Sequence, residues 1–478
     1  MEEGLLEAIT LANRTIKTVP AYQKLLKKSR YKQKNLSKKE DFFCLPITDK
    51  KNYIQSFSFF DLFQNYKWPS TAYSSSGSSG TPTFWFRDKR QNQAGGSIHE
   101  KIFKEIFQIK KQDTTLAIIC FSMGIWVAGN YTTSSCQWVS EQGYRLTTIT
   151  PGMEKHDIFY ILKNLAPKFK NVILAGYPSF VMDILAEAKN KKIPLPKNLK
   201  LLTAGDSFSE KWRDSALKII GTNLSLNSII SIYGSADAGI MGFETPLSVF
   251  IRKSALKNKG LYTELFGEAE KQPVLVQFNP KHTYLESIKG ELLLTSNTSI
   301  PLIRYNIHDI GKILSFAETK KLLKKYNLIG QAEKIGLEDW QMPFIIKYGR
   351  TDVAVTFYAL NIYPEHIEAG LKDKRIKEMV SGNFRAFSQT AKNNQDEQLN
   401  FEIELSEKYK VSKESLKKIS NSVIDNLTKI NTEFRKLHST IGQKALPKIK
   451  LLKKLTDKTV RNSKILISLN GKKPKMTN

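Results

Sequence analysis

Cysteine is scarce in this chain: three residues in 478, Cys44, Cys120 and Cys136, widely spaced and without a CxxC pair. That excludes a disulfide framework and a zinc knuckle, and it suits a reducing, cytoplasmic setting in which a free cysteine acts as a small hydrophobe. Histidine is also sparse, with six residues, none at metal-ligand spacing and no HExxH. Long apolar runs are lacking too. The longest, residues 116–129, is interrupted by Cys120, Ser122 and Gly124. It falls short of the ~20 residues a membrane span needs, so it reads as buried core. The opening MEEGLLEAIT is acidic and has no cleavable apolar stretch, unlike a secretory signal. Acid is in deficit overall, 45 Asp+Glu against 74 Lys+Arg, a net charge of +29.

What is present points to a folded, multi-domain protein. Hydrophobic residues make up 41% and aromatics 10% of the chain, too much for general disorder. The length corresponds to about three domain-sized units and can bury a large core without covalent staples. The charge invites a nucleic-acid reading, but no aromatic-rich basic repeat, zinc-finger spacing or RNP-like run accompanies it. Residues 401–478 carry 19 Lys/Arg against 7 Asp/Glu, a net +12, and the remaining excess is spread thinly as on Lys-rich solvated faces.

The pattern changes along the chain. Residues 1–68 read as a helical entry segment with basic linkers, interrupted at Pro20. From about residue 85 to 310, β-rich apolar runs alternate with helical stretches; the runs are LAIICF, NVILAG, LKLLTAG and SIISIYG. This alternation predicts an α/β domain of layered helices around a largely parallel sheet. Residues 316–342 read as a charged helical insertion. After YGRTD the texture becomes α+β, with short alternating runs and a long basic helix around 411–430. The expected domains are therefore a large N-terminal unit, 1–349, and a small α+β C-terminal unit, 350–478, with the boundary near Gly349–Asp352.

The strongest local motif is Tyr73-Ser-Ser-Ser-Gly-Ser-Ser-Gly-Thr-Pro-Thr83. Gly77 and Gly80 permit a tight turn whose N–H groups converge on an anion, and Ser75, Ser76, Ser78 and Ser79 add donors. A flexible Ser/Gly linker is the competing reading; no Gly-Lys-Ser/Thr follows, so it is not a Walker A loop.

Residues 75–83 resemble the Ser-Ser-Gly-Thr-Thr-Gly-Lys-Pro-Thr loop of adenylate-forming enzymes, in the branch of the phenylacetate–CoA ligases. Six further segments are similar to that branch in the same order: LAGYPSF (174–180), AGDSFSE (204–210), IYGSAD (232–237), GELLLTSN (290–297), PLIRYNIHD (301–309), and YGRTD with LNIYPEHIE (348–352, 360–368). The resemblance runs over nearly the whole chain. It implies a large α/β N-terminal domain with a small mobile C-terminal domain, and an ATP-dependent acid–thiol ligase. A carboxylate attacks the α-phosphate of ATP, pyrophosphate leaves, and a thiol, usually that of coenzyme A, attacks the acyl- or aryl-adenylate.

The resemblance also implies roles. Ser75, Ser76, Gly77, Ser78, Ser79, Gly80 and Thr81 hold the ATP phosphates. Tyr233, Gly234 and Asp206 belong to the adenine and substrate wall, with a loop-capping Asp206 as the alternative. Asp237 takes the place of a Glu near Mg²⁺ and, one methylene shorter, reaches the metal through water. Asp309 accepts the ribose hydroxyls, Arg350 contacts ribose or phosphate, and Asp352 is the hinge. The catalytic lysine of the mobile domain maps to Lys464, with Lys472 as the alternative. Three departures stand out: Thr81 replaces the loop lysine, leaving Arg87 or Lys89 to supply a cation; His308 replaces the glycine before Asp309; and Ala359 replaces the glycine of the C-terminal domain.

The leading expectation is acid activation with ATP, Mg²⁺ and coenzyme A. The partners are then an aryl or acyl acid and an acceptor, with neither a membrane span nor nucleic acid. Alternatives are an amine or carrier thiol as acceptor, or a catalytically quiet basic binding protein. Residues 121–138, including Trp126 and Gly129, read either as ordinary core or as the wall of an apolar acid pocket.

Overall fold

The apolar runs of the sequence become the buried centre of an eleven-stranded sheet. A separate antiparallel hairpin of β1 (Thr71–Ser74) and β2 (Phe84–Arg87) precedes it. β3 (Thr115–Cys120) and β5 (Asn171–Gly176) are buried at every position. That is what a strand covered on both faces requires. With β4 (Leu146–Ile149), β6 (Leu199–Ala204) and β7 (Ile229–Ser235) they form a parallel block in the order β4-β3-β5-β6-β7. Helices Val127–Glu141, Pro178–Asn190 and Glu210–Ile220 supply crossovers. The residues described in this computed structural model are 1–32, 35–64, 68–74, 83–222, 226–267, 273–350, 355–358, 360–390 and 397–455.

The other half of the sheet departs from the expected parallel arrangement. β8 (Gly239–Phe243), β9 (Val274–Gln277), β10 (Thr283–Ile288), β11 (Glu291–Ser296), β12 (Leu302–Leu314) and β13 (Phe344–Arg350) are antiparallel, in the order β10-β11-β12-β13-β9-β8. The reason lies in the connections. Lys289 and Gly290 join β10 to β11 with φ of 51° and 82°, the two left-handed residues of a tight hairpin turn, so no helix can intervene. The helical insertion forms as helices Phe316–Lys325 and Ile329–Lys334, between β12 and β13. Ser315 and Glu318 make its capping box, and Leu323, Ala332 and Trp340 pack into the core.

The chain opens on two helices. Helix Glu2–Thr18 buries Ala8, Leu11, Ala12, Thr15 and Ile16, one stripe at three- and four-residue spacing. Pro20 opens the next helix, Pro20–Lys28, at a position where its missing N–H costs nothing.

Two compact units are present, one within residues 1–74 and 84–350 and the other within 355–455. The second contains a hairpin, β14 (Val355–Phe357) with β15 (Leu360–Ile362). It also has a three-stranded sheet of β16 (Val380–Thr390), β17 (Glu397–Leu405) and β18 (Lys448–Leu452). Helices Pro364–Leu371, Lys413–Ile430 and Thr432–Ile441 accompany them, giving the α+β texture read from the sequence. Among the described residues no helix is long and apolar enough to cross a membrane.

Candidate functional site

Two tyrosine–aspartate pairs tie the end of β7 and the turn after it to β12, although three strands separate β7 from β12 in the sheet order. The Tyr233 hydroxyl donates to Asp309 Oδ2, and the Tyr305 hydroxyl donates to Asp237 Oδ2 at 2.7 Å. Burial raises both phenols well above their ordinary pKa and the neighbouring carboxylates raise them further, so each remains a protonated donor at neutral pH. The local backbone explains how the pairs are reached. A bulge separates Tyr233 from Gly234. A Cβ on Gly234 would lie 2.7 Å from the Gly239 carbonyl, so only glycine permits this close return of β8.

Asp309 is the electrostatic centre of the cluster. It is 3% exposed, and its Oδ1 accepts no hydrogen bond. Lys347 Nζ and Arg350 Nη1, both on β13, stand 3.8 and 3.7 Å from that oxygen. Register places Arg350 directly across from Asp309. Lys347 also lies 6.0 Å over the Tyr233 ring. The result is a buried carboxylate with one oxygen held by a phenol and one facing two cations with acceptor capacity to spare.

Of the residues expected in the site, Tyr233, Gly234, Asp237, Asp309 and Arg350 therefore share one neighbourhood. Asp206 follows β6, whose Ala204 pairs with Ile232 of β7. Its Oδ1 accepts from the Ser207 N–H at 2.7 Å, and the cap of helix Glu210–Ile220 is Ser209, which accepts from Trp212 N–H. The helix-capping alternative for Asp206 is thus replaced by a shorter loop turn. Ser75, Ser76, Gly77, Ser78, Ser79, Gly80, Thr81, Asp352, Ala359, Lys464 and Lys472 lie outside the described residues.

The departures have physical accounts. His308 has φ of 62°, the left-handed conformation that glycine adopts freely, and its N–H donates to Asn306 Oδ1 at 2.7 Å. Its ring sits between Asp49 and Glu291, 4.0 and 3.9 Å away. Lys89 is exposed at the start of helix Lys89–Lys101, whereas Arg87 is fully buried. The Arg87 guanidinium donates to the carbonyl of Ala236, next to Asp237, and to that of Phe86 at 3.1 Å. Burial lowers its pKa, while Tyr131 and Asp237 act in the opposite direction.

Sequence reasoning passed over two buried charge clusters. Arg213 and Arg252 bind Glu210 and Glu244, all almost fully buried. Glu244 also accepts from Ser231 N–H at 2.9 Å, anchoring β7 just before Tyr233. Arg304 binds Glu286 at 2.6 Å and donates to the carbonyls of Phe43 and Leu45, clamping the entry segment onto β12. Charged residues at helix and strand positions read as solvated faces unless their partners are known. Residues 121–138 are mixed: Phe121 is buried edge-on to Tyr177 and Tyr131 and Cys136 are buried, whereas Trp126 is half-buried and Ile125 is exposed.

No family model matches the chain, and no curated protein matches it in sequence. Solved structures do. The 2-hydroxyisobutyryl-CoA ligase bound to 2-HIB-AMP and CoA, in the thioesterification state, superposes with a TM-score of 0.64 at 15% identity. The match covers 94% of this chain and 86% of that one. The same ligase in an open conformation with the same ligands gives 0.52 at 15% identity, over 94% and 87% of the two chains. The chain thus has the architecture of adenylate-forming enzymes, an α/β unit with a smaller α+β unit.

Proposed function

We propose that this protein activates a carboxylic acid with ATP, forming an acyl- or aryl-adenylate, and transfers the acyl group to coenzyme A in the manner of a phenylacetate–CoA ligase. The observation that carries the reading is Asp309: a buried carboxylate within β12, opposite the last residue of β13, aligned by Tyr233 and flanked by Arg350 and Lys347, with an oxygen that accepts no hydrogen bond. An orphaned buried acceptor of this kind fits the hydroxyl donors of a ribose. The fold shared with a ligase bound to an acyl-AMP and CoA supports the same chemistry.

In this reading the acid oxygen bonds to the α-phosphorus as the bond to pyrophosphate breaks. The acceptor sulfur then bonds to the carbonyl carbon and AMP departs. Asp309 fixes the ribose and Arg350 offsets phosphate charge, which holds the reacting atoms in line. Tyr233, Gly234 and Asp206 line the base. Residues 75–81 hold the phosphates, Asp352 is the hinge, and Lys464 or Lys472 supplies the late cation. No group of three metal-ligating side chains occurs among the described residues. A single carboxylate, Asp237, suits Mg²⁺, which keeps its waters and leans on substrate phosphates; the ion would neutralise charge on the leaving pyrophosphate. The lack of a cysteine framework fits a cytoplasmic enzyme.

The test is ATP–pyrophosphate exchange against a panel of aryl, fatty and hydroxy acids, followed by coenzyme A and mass detection of the thioester. Exchange with one acid class and a CoA thioester are expected. Exchange without thioester moves the acceptor to an amine or carrier thiol, and no exchange with any acid refutes the reading. Lys464→Ala is expected to abolish exchange; full activity transfers that role to Lys472.

A further inference from the structure

The β1–β2 hairpin turns one face inward and the other outward. Trp85 and Arg87 are buried, while Phe84 and Phe86 take the alternate, outward positions. Outside this face, aromatic rings accumulate. Phe59 stacks on Phe86 with centroids 5.8 Å apart and touches Phe60 at 4.0 Å. Phe60 in turn meets Trp68 at 5.8 Å. These rings are exposed: Phe59 43%, Phe60 47%, Phe84 57% and Trp68 71%. Scattered exposed hydrophobes need no explanation, but Phe59, Phe60 and Trp68 form a contiguous chain of rings and, with exposed Phe84 at the outward position of β2 beside Phe86, mark an interaction surface.

The rim of this patch is basic. Residues 8–39 contain ten Lys/Arg and no Asp or Glu. Helix Pro20–Lys28 brings that stretch to the patch. Lys28 Nζ lies 4.9 Å over the Phe57 ring, and Lys24 reaches Asp61, on the turn that carries Phe59 and Phe60, at 2.6 Å. Lys27, Arg30 and Lys32 are exposed beside them in sequence. Asp61 is paired with Lys24 and Asp88 with Arg90.

We propose that this face docks on an anionic lipid surface, with Phe59, Phe60, Phe84 and Trp68 entering the headgroup boundary and the Lys24–Lys32 stretch meeting the lipid charge. Aromatic rings and long cationic side chains together are the chemistry that favours a membrane interface. Each basic residue near such a surface adds attraction that salt screens. All four rings are open to solvent. A bilayer accepts such a face without shape complementarity. This inference is independent of the proposed acid activation.

The experiment is co-sedimentation of the full chain with vesicles of phosphatidylcholine alone and of phosphatidylcholine with phosphatidylserine, at low and high salt. Tryptophan quenching by brominated lipid is read alongside. Expected are binding to the anionic vesicles only, weakening with salt, and quenching that is lost in Trp68→Phe. Phe59→Ser/Phe60→Ser/Trp68→Ser is expected to lower the bound-to-free ratio about tenfold or more. Lys27→Glu/Lys28→Glu should lower it on anionic vesicles as well. All these side chains are exposed, so folding and any exchange activity should persist; Trp68→Ser alone serves if the triple variant does not fold. No vesicle binding, binding unchanged in these variants, or binding equal on neutral vesicles overturns the proposal. So does a dimer in sedimentation velocity that the aromatic variant dissolves, which would assign the patch to a second copy of the chain.

Discussion

Asp309 is the residue on which the site turns, because it is buried and yet has capacity left over. Asp309→Asn keeps the shape and an acceptor for Tyr233 but removes the charge that faces Arg350 and Lys347. Hydrogen bonds to a charged group contribute about 1.5–3 kcal/mol each. Acid-dependent exchange should therefore fall about 100-fold while the thermal midpoint stays close to wild type. Arg87 tests the opposite property, a buried cation whose two terminal nitrogens donate to backbone carbonyls. Arg87→Met leaves the Ala236 carbonyl without its donor, and a loss of about 1–3 kcal/mol is expected in urea titrations. Arg87→Lys should rescue only part of it, since a point charge cannot reproduce the fork. His308 holds a left-handed backbone that costs a side chain about 1–2 kcal/mol. His308→Gly should accordingly be more stable than His308→Ala by about 1 kcal/mol in the same titration.

At the scale of elements, helix Lys89–Lys101 and the residue just after β8 each supply a titratable group that couples the fold to pH. His99 is buried with Nδ1 2.8 Å from the Gly95 carbonyl, and burial pulls its pKa down to about 4. The unfolded chain therefore binds the proton first. The stability this neutral ring contributes is complete above about pH 6.5 and is lost as pH falls toward 4, up to about 3 kcal/mol. His99→Leu should flatten chemical-denaturation stability across that window. Glu244 shows the same sign by another cause. Burial pushes its carboxyl up, but Arg213 and Arg252 more than compensate and hold it below the ordinary 4.5. Its contribution is present above that value and disappears below it. Glu244→Leu leaves two buried guanidiniums short of a partner, and about 3–5 kcal/mol should be lost.

The elements also show what a sequence can and cannot convey. β3 and β5 were legible because a strand buried on both faces is a continuous apolar word. The insertion at 316–342 reads as helical from its charged pattern, and the structure adds the Ser315–Glu318 capping box that starts it. The antiparallel half was not read as such, since a hairpin turn made by Lys289-Gly290 looks in one dimension like any polar break. The ordered motifs singled out Tyr233 and Asp309. Their pairing, and that of Tyr305 with Asp237, joins residues 76 and 68 positions apart and has no local signature. Arg213, Glu244 and Arg252 were missed, and Arg87 was read as a free cation, for a related reason: a charge declares itself buried only when its partner is in view.

For the whole molecule, the net charge of +29 is unevenly distributed. One share lies in residues 401–478 and another in the acid-free stretch 8–39. A surface of that sign attracts polyanions such as ATP and coenzyme A at long range. Apparent affinity for ATP should weaken several-fold between low and physiological salt, measured by exchange kinetics, because the Debye length contracts to about 8 Å. The central claim is acid activation at the Asp309 cluster. Acid-dependent ATP–pyrophosphate exchange, run side by side on the wild-type chain and Asp309→Asn at matched thermal stability, tests it most directly. The account predicts exchange with at least one acid class and its near loss in the variant. Absence of exchange in the folded wild type, or equal exchange in the two proteins, would contradict it.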